Sequence, residues 1–365
     1  MLNSRLLYKT FNKKKILITG HTGFKGSWMS VWLKELGSKV FGISKNIPTK
    51  PSNYLANHLN KDVVNINFDI SNFKKINNAI REIQPDYIFH LAAQSLVKKS
   101  YIDPIDTWNS NLIGTVNLLE SLKMINKKCI VVIITSDKCY DNVEWEWGYR
   151  ENDKLGGPDP YSASKGSAEM AFSSYFRSFY NQDQKKIFLA SARAGNVIGG
   201  GDWAENRIVP DCIKSWSISK TVKIRNPYAT RPWQHVLEPI SGYLNLAISL
   251  TKNKKISGRS YNFGPSSENN YTVKDLVNSM MKYWHKVSWK NVSSNNLGPY
   301  ESNLLKLNCD RALKELSWTP TLDFNNTVRL SVEWYKQFYE NKKLIPEITR
   351  NQILEFMQIH ESKKY

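Results

Sequence analysis

The sequence predicts an α/β protein with a doubly wound parallel sheet and a smaller C-terminal lobe. Short apolar runs alternate with helical patterns through the first half of the chain, and a glycine-rich turn joins the first run to the first helix. After about Gly195 the pattern changes to loops rich in glycine, proline and tryptophan. Strands that alternate with helices form βαβ units, whose parallel sheet is covered on both faces.

The apolar runs and the helical periodicity locate the individual elements. Runs rich in β-branched and aromatic residues predict strands at residues 16–19, 39–43, 63–66, 87–91, 130–135 and 187–192. Helical patterns predict helices at 27–36, 73–83, 107–125, 161–179, 237–250, 273–284 and 327–339, and the tail after residue 341 also has a helical pattern. We therefore expect a first domain at 13–195 with a returning segment near 236–265, a second lobe at 196–235 and 266–345, and a tail at 346–365.

Length and composition exclude several classes of protein. The chain has 365 residues, of which 41% are hydrophobic and 23% are charged, and these values exclude a mainly disordered protein. No apolar run approaches the roughly 18 residues of a membrane span, and the N-terminal residues lack the apolar core of a secretory signal. The cysteines form no CxxC pair, so we expect a cytoplasmic protein without a metal site, a disulfide framework or a membrane partner; they are Cys129, Cys139, Cys212 and Cys309.

The chain is strongly basic. It carries 51 Lys and Arg against 32 Asp and Glu, which gives a net charge of +19 at pH 7. Such an excess can indicate a nucleic-acid partner or an anionic substrate. The lysines are scattered rather than grouped in one stripe, so we favour a compositional origin and expect no nucleic-acid partner. A non-catalytic RNA-binding protein is the alternative from a different functional class.

A glycine-rich motif follows the first predicted strand. Its sequence is Gly20-His21-Thr22-Gly23-Phe24-Lys25-Gly26, and it leads into the first helix. Glycines in this context allow a tight turn, close approach of a pyrophosphate to the backbone and close packing of helix on strand. The helix N-terminus supplies unpaired N–H groups and a partial positive charge. We therefore predict a Rossmann-type dinucleotide site that uses Gly20, Gly23, Phe24, Lys25 and Gly26.

A second motif, Tyr161-Ser162-Ala163-Ser164-Lys165, stands at the start of a long predicted helix. Residues four apart share one helix face, so Lys165 is expected beside Tyr161. A phenol has a reference pKa near 10, and a neighbouring ammonium stabilises the phenolate, which makes it a usable base near neutrality. Ser136, at the end of the fifth predicted strand, would hydrogen-bond the hydroxyl that Tyr161 deprotonates.

The GxxGxxG spacing and the YxxxK motif resemble those of the extended short-chain dehydrogenase/reductases, which include epimerases and dehydratases of nucleotide sugars. The resemblance covers nearly all of the chain. It implies an NAD cofactor, a C-terminal lobe that binds the substrate, and a homodimer formed by the helices predicted at 107–125 and 161–179. It also implies that Tyr161 and Lys165 contact the cofactor, that Asn111 belongs to the catalytic set, and that further cofactor contacts come from Asp69, Ile70, Leu91, Ala92 and Ala93.

Two of these assignments stay open on the sequence. Asp69 stands shortly before a helix that begins near Asn72, so a helix N-cap explains it as well as an adenine contact does. The second strand ends without the acidic residue that usually binds the adenosine ribose. Lys45, which follows that strand, could instead favour a 2′-phosphate, so the residues alone leave NAD and NADP open.

The segment Thr135-Ser136-Asp137-Lys138-Cys139-Tyr140 narrows the resemblance. In this family, nucleotide-sugar 4,6-dehydratases carry an Asp–Glu pair after the catalytic Ser or Thr, whereas simple epimerases carry non-ionisable residues. The Asp137–Lys138 pair and the segments 20–28, 90–97 and 191–203 resemble the branch that acts on CDP-glucose. This implies a hydro-lyase that makes CDP-4-keto-6-deoxyglucose for deoxysugar biosynthesis, as in lipopolysaccharide O-antigen. Another nucleotide-sugar dehydratase or an epimerase is the alternative.

The resemblance also implies roles for individual residues. Tyr161 would remove the C4 hydroxyl proton, Asp137 would protonate the departing C6 hydroxyl, and Lys138 or Asp137 would assist removal of the C5 proton. Arg193 and Arg225 are equally consistent with structural roles and with phosphate binding. The expected substrate contacts are Gln94, Ser136, Asn196, Arg207 and Arg231, the last of them to the pyrophosphate.

Overall fold

The computed structural model describes residues 2–181, 186–266, 270–292 and 304–363, and its first half alternates strands with helices. The fourth and fifth strands are separated by one nearly continuous helical rod, which includes a π-helical turn at Asn109–Ile113 and a 3₁₀ turn at Leu122–Met124. A 3₁₀ turn at Asp137–Cys139 follows the fifth strand. The elements in chain order are α1 (Ser4–Phe11), β1 (Lys15–Thr19), α2 (Phe24–Glu35), β2 (Lys39–Ser44), α3 (Asn53–Ala56), α4 (Leu59–Asp62), β3 (Val64–Asn67), α5 (Phe73–Ile83), β4 (Tyr87–His90), α6 (Val97–Ile102), α7 (Pro104–Trp108), α8 (Gly114–Ser121), β5 (Cys129–Ile134), α9 (Pro160–Tyr175) and β6 (Ile187–Ala194).

The second half contains shorter strands and a group of longer helices. Its elements are β7 (Val197–Ile198), α10 (Ile208–Trp216), β8 (Val222–Ile224), β9 (Thr230–Arg231), β10 (Gln234–His235), α11 (Leu237–Lys252), β11 (Ser260–Phe263), β12 (Tyr271–Thr272), α12 (Val273–Met281), β13 (Trp289–Asn291), α13 (Asp310–Leu316), α14 (Phe324–Glu340) and α15 (Ile345–Ser362).

Seven parallel strands form the central sheet, in the order β11-β6-β5-β4-β1-β2-β3. The strand order reverses direction at β1 and β4, and ligands of such sheets bind outside the carboxyl ends of the strands at this point. The doubly wound parallel sheet predicted from the alternation is therefore confirmed. The seventh strand, β11, was not predicted, because two of its four residues, Ser260 and Asn262, are polar and hydrogen-bond inside the protein.

The sheet is buried on both faces. All six residues of β5 and all eight of β6 are buried, which explains why they appear in the sequence as apolar runs without alternation. One face packs against α2 and α11, with α15 packed against α2, and the other face packs against α5, α8 and α9. Trp28 and Trp32 lie fully inside the first of these layers. Among the described residues, no helix combines the length and apolar character needed to cross a membrane.

Candidate active site

A cleft of about 1360 Å³ opens at the carboxyl ends of β1, β2, β4, β5 and β6, and loops of the second half form its opposite wall. It brings together the glycine-rich motif, the segment after β5, the start of α9 and the predicted arginines. The walls carry twelve Lys and Arg against seven Asp and Glu. Part of the chain's excess positive charge is therefore concentrated here, where it attracts anionic ligands.

The glycine-rich turn has no room for side chains. Gly20 has φ +75°, and a Cβ at this position would lie 2.8 Å from the backbone of Ala92. A Cβ on Gly26 would lie 2.2 Å from the carbonyl oxygen of Gly20. Helix α2 begins at Phe24, three residues earlier than predicted, and its N-cap Gly23 provides no side-chain hydrogen bond. The first N–H groups of this helix therefore remain available for an anion in the cleft.

Asp69 lies in the cleft wall beside β2 and β3, and its hydrogen bonds decide whether it caps a helix. Asp69 accepts a hydrogen bond from the Ser71 N–H at 2.9 Å, whereas Asn72 caps α5 through the Lys75 N–H at 3.1 Å. The N-cap interpretation of Asp69 is therefore wrong. Its carboxylate lies in the cleft wall with four neighbours predicted to contact a cofactor, namely Ile70, Leu91, Ala92 and Ala93.

Lys45 is neutralised by two carboxylates. Its ammonium lies 2.8 Å from Asp106 and 3.3 Å from Asp69. Lys99 also pairs with Asp106 at 3.0 Å, so the two lysines and two carboxylates have no net charge and offer little attraction to a 2′-phosphate. The structure therefore favours a ribose without a phosphate at this end of the cleft.

The segment after β5 carries the predicted catalytic residues into the cleft. Ser136 donates a hydrogen bond to Asp137 Oδ1 at 2.8 Å and accepts one from the backbone N–H of Lys138 at 3.2 Å. Asp137 fits closely against Gly195, because a Cβ there would lie 2.9 Å from Asp137 Oδ2. Lys138 is half-buried in the cleft wall, and within the described part of the chain its ammonium makes no hydrogen bond or ion pair.

Tyr161 and Lys165 are both buried at the cleft floor. Burial raises the pKa of Tyr161 to about 12, although an interaction with Ser136 opposes this rise. Burial lowers the pKa of Lys165 to about 8, and Cys139 and Glu169 oppose that change. Desolvation thus disfavours the charged form of both groups, so a further positive charge beside the phenol would favour its ionisation.

A buried ion pair lies behind these residues. Arg193 donates to Glu169 at 2.7 Å, and Glu169, one helical turn beyond Lys165, accepts from Thr135 at 2.5 Å and from Ser191 at 2.8 Å. These bonds tie α9 to the carboxyl ends of β5 and β6. Arg193 therefore has a structural role. Removing one partner of such a pair costs about 3–5 kcal/mol, because the other charge stays buried.

Asn111 lies behind Tyr161 rather than in the cleft wall. Its amide donates to Ser164 Oγ at 2.9 Å and to the Gln94 carbonyl at 3.1 Å, and it accepts from the Gln94 N–H at 2.8 Å. Ser164 Oγ in turn donates to the Tyr161 carbonyl at 2.7 Å. Asn111 sits in the π-helical turn, a feature frequent at functional sites. It is therefore placed to position the start of α9.

The predicted substrate contacts differ in how free their polar groups are. Gln94 lines the cleft, but its amide already bonds Thr107 at 3.0 Å and the Leu96 N–H at 2.6 Å, so a substrate contact by Gln94 stays a prediction. Arg207 pairs with Asp202 at 2.7 Å and still faces the cleft with about a third of its side chain exposed. Asn196 and Arg231 also line the cleft.

Lys25 lies closer to the catalytic residues than its place in the glycine-rich motif suggested. Burial, together with the positive charges of Arg207 and Lys165, lowers the pKa of Lys25 to about 8, although Asp137 opposes this change. Lys25 therefore shares the electrostatic surroundings of Asp137, Lys165 and Arg207, which the spacing of the motif could not indicate.

A family profile decides the family of the chain. The profile described as GDP-mannose 4,6 dehydratase matches residues 17–331, which is most of the chain. The chain belongs to this dehydratase family, within the extended short-chain dehydrogenase/reductases. The resemblance inferred from the motifs is thereby confirmed.

Individual members of the family show the same relationship. The chain is 46% identical to CDP-glucose 4,6-dehydratase from Salmonella typhimurium over 337 residues, which cover 91% of this chain and 93% of the relative. It is 29% identical to dTDP-D-glucose 4,6-dehydratase from Dictyostelium discoideum over 73% of this chain and 62% of that protein. The structure of dTDP-glucose 4,6-dehydratase from Bacillus anthracis in complex with NAD superposes with a TM-score of 0.71 at 21% identity, covering 92% of this chain and 99% of the other. The last comparison supports the fold.

Proposed function

We propose that the protein is a CDP-glucose 4,6-dehydratase, a hydro-lyase that uses bound NAD and produces CDP-4-keto-6-deoxyglucose and water. One observation carries the proposal: an acid and a cation, Asp137 and Lys138, stand directly beside Ser136 and Tyr161 in one cleft. The acid distinguishes a dehydratase from a simple epimerase. The 46% identity to a CDP-glucose 4,6-dehydratase supports the choice of substrate.

The cleft residues fit NAD. Gly20 and Gly26 leave a cradle that a Cβ would fill, and the uncapped N-terminus of α2 suits a pyrophosphate. Ala92 and Ala93 add little bulk to the wall beside this cradle. The Lys45–Asp69–Asp106 group favours an unphosphorylated ribose, which supports NAD over NADP. NAD held in this cradle would supply the acceptor for the hydride of the C4–H bond and the donor of a hydride to C6, and it would add a positive charge near the phenol.

Four residues carry the chemical step. Tyr161 removes the C4 hydroxyl proton as C4 becomes a ketone, and Ser136 hydrogen-bonds the same oxygen. The ketone acidifies the C5 proton, whose removal Lys138 or Asp137 assists. Asp137 protonates the C6 hydroxyl, which leaves as water. A proton then returns to C5, so the reaction has no net oxidation or reduction.

Other residues position these groups. Lys165 supports the ionised phenol of Tyr161 from one turn along α9. Asn111 holds the start of that helix through Ser164. Arg207, Arg231 and Asn196 face the cleft where they can hold the nucleotide sugar, since a guanidinium matches the geometry of phosphate oxygens.

A panel of nucleotide sugars tests the proposal. Purified protein is incubated with NAD and with CDP-, UDP-, dTDP- or GDP-glucose, and the products are measured by mass spectrometry. We expect loss of one water from CDP-glucose without accumulation of reduced cofactor. Turnover of another nucleotide sugar with CDP-glucose untouched would reject the substrate. A product of unchanged mass would indicate an epimerase instead.

The protein also forms a homodimer in this proposal. Ile113, in the π-helical turn between α7 and α8, Met170 of α9 and Phe179, just beyond α9, are all exposed apolar side chains on the predicted pairing helices. Met170→Lys should shift the mass measured by light scattering from dimer to monomer. Leu354→Lys on α15, an equally exposed position outside these helices, is the control and should leave the mass unchanged.

A further inference from the structure

The cleft extends beyond the catalytic residues along one face of α10. Arg207, the N-cap residue of this helix, interacts electrostatically with Tyr161, and the N–H of Asp211 bonds to the Arg207 carbonyl at 3.0 Å. Asp211 therefore lies one turn, about 6 Å, further along the helix axis. Both residues line the cleft, and Arg225 faces Asp211 from the segment after β8. We call residues 207–214 and 223–226 the outer arm.

The order of groups along this arm matches the order of parts in a nucleotide sugar. In the proposed function, the hexose lies at Tyr161, and the pyrophosphate lies between the guanidinium groups of Arg207 and Arg231. The nucleoside must then continue towards the far end of the outer arm. Asp211 is the acidic side chain at that position.

The Asp211 carboxylate has no hydrogen bond or ion pair within the described ranges. Two nearby lysines are engaged elsewhere, Lys214 with the Trp203 carbonyl at 2.8 Å and Lys98 with Asn206 at 2.9 Å. Burial raises the pKa of Asp211, whereas Lys214, Arg225 and Lys98 lower it. A partly desolvated carboxylate that makes no hydrogen bond within the protein gains from a donor in the ligand.

We infer that Asp211 determines which nucleobase the enzyme accepts, by taking a hydrogen bond from an exocyclic amino group, the N4 amino group of cytosine in the proposed substrate. Uracil and thymine carry the O4 acceptor at the same position. Base O4 and the Asp211 carboxylate would then face each other as two acceptors without a donor. Sites built around a polar contact discriminate strongly, since the wrong ligand leaves a polar group unpaired. This inference rests on the proposed function and names its base-specific residue.

The test compares Asp211→Asn with wild type for two properties, the ratio of CDP-glucose to UDP-glucose turnover and the ratio of CMP to UMP affinity by calorimetry. An amide can donate to O4 as well as accept from N4. We therefore expect the preference for cytosine to fall by about 10- to 100-fold in the variant. Glu205→Gln removes a negative charge from the same neighbourhood but keeps the acceptor, so it should leave both ratios unchanged.

Two outcomes separate this inference from the proposed function. An unchanged CMP to UMP ratio in Asp211→Asn, with only a lower Tm, would mean that Asp211 merely stabilises the first turn of α10, and it would overturn the inference while leaving the dehydratase intact. Suppose that the wild-type protein dehydrates no sugar but prefers CMP over UMP, and that Asp211→Asn loses this preference. This outcome would reject the proposed function and uphold the base contact.

Discussion

The two ends of the cleft differ in the groups they use, which are backbone groups at one end and side chains at the other. The end near the glycine-rich turn uses backbone: Gly20 and Gly26 bring two segments into contact, and α2 points its uncapped N–H groups into the cleft. The catalytic end uses desolvated side chains, above all Tyr161 and Lys165, whose pKa values are shifted by burial to about 12 and about 8. Backbone geometry can hold an anion without chemistry, whereas proton transfer needs groups whose charge depends on their surroundings. Changes at the two ends should therefore fail in different ways.

The largest effect is expected for Tyr161→Phe, which removes the group that ionises. Turnover of CDP-glucose should fall by about 10³-fold or more, with CMP and NAD affinity retained, because general base catalysis contributes on this scale. Steady-state kinetics combined with calorimetry separate the two properties. If the variant lost affinity for CMP and NAD but kept its turnover number, the two ends of the cleft would not have the separate roles described here.

Asp137→Asn should leave the oxidation at C4 intact but slow the loss of water. Oxidation at C4 depends on Tyr161, so reduced cofactor should still form on the enzyme, whereas release of dehydrated product should fall by about 10²-fold. Single-turnover absorbance of reduced nicotinamide, with mass spectrometry of the products, measures both. Normal product release would remove Asp137 from its proposed role as the acid.

Gly20→Ala should harm binding at the other end of the cleft. The new Cβ would meet the Ala92 backbone at 2.8 Å in a residue with φ +75°, so we expect NAD affinity to fall by about 10-fold or more at little cost to the chemical step. Gly156→Ala is the matched control, since Gly156 has φ +124° and no atom within 4 Å of its Cβ. Equal losses in both variants would attribute the effect to general backbone strain.

The smallest effect is expected for Lys25→Met, at the junction of the two ends. The folded-state pKa of Lys25, about 8, is below the ordinary lysine value of 10.5, so the unfolded chain binds more protons between these values and wild-type stability rises with pH there. Removing the ammonium should raise the unfolding free energy of the cofactor-free protein by about 1 kcal/mol at pH 7. The gain should shrink by pH 10, where Lys25 is largely neutral in the folded wild type.

Thermal unfolding at both pH values measures this difference, with Lys255→Met on the protein surface as the control. An equal gain in unfolding free energy at pH 7 and pH 10 would show that the charge of Lys25 does not destabilise the folded protein. A loss of stability at pH 7 would mean that its attraction to Asp137 outweighs its desolvation.

The sequence predicted the sheet because its strands are buried on both faces and therefore appear as apolar runs, as in β5. It missed β11, whose polar Ser260 and Asn262 bond inside the protein, and it missed α10, which follows a loop rich in glycine and tryptophan. The spacing of the two motifs identified Tyr161 and Gly20, since the roles of both residues depend on neighbours close in sequence. Lys25 depends on Asp137 and Lys165, and Asp211 faces Lys98 across the cleft, so only the folded structure reveals these surroundings.

The internal transfer of hydrogen from C4 to C6 is the feature that makes one cleft both an oxidising and a dehydrating site. The most direct measurement uses CDP-glucose deuterated at C4 in ordinary water, with the product examined by NMR. We expect the deuterium at C6 of the 4-keto-6-deoxy product and protium at C5. Loss of the deuterium to solvent, or its recovery at C4 in a sugar that has kept its C6 hydroxyl, would contradict the proposed dehydratase.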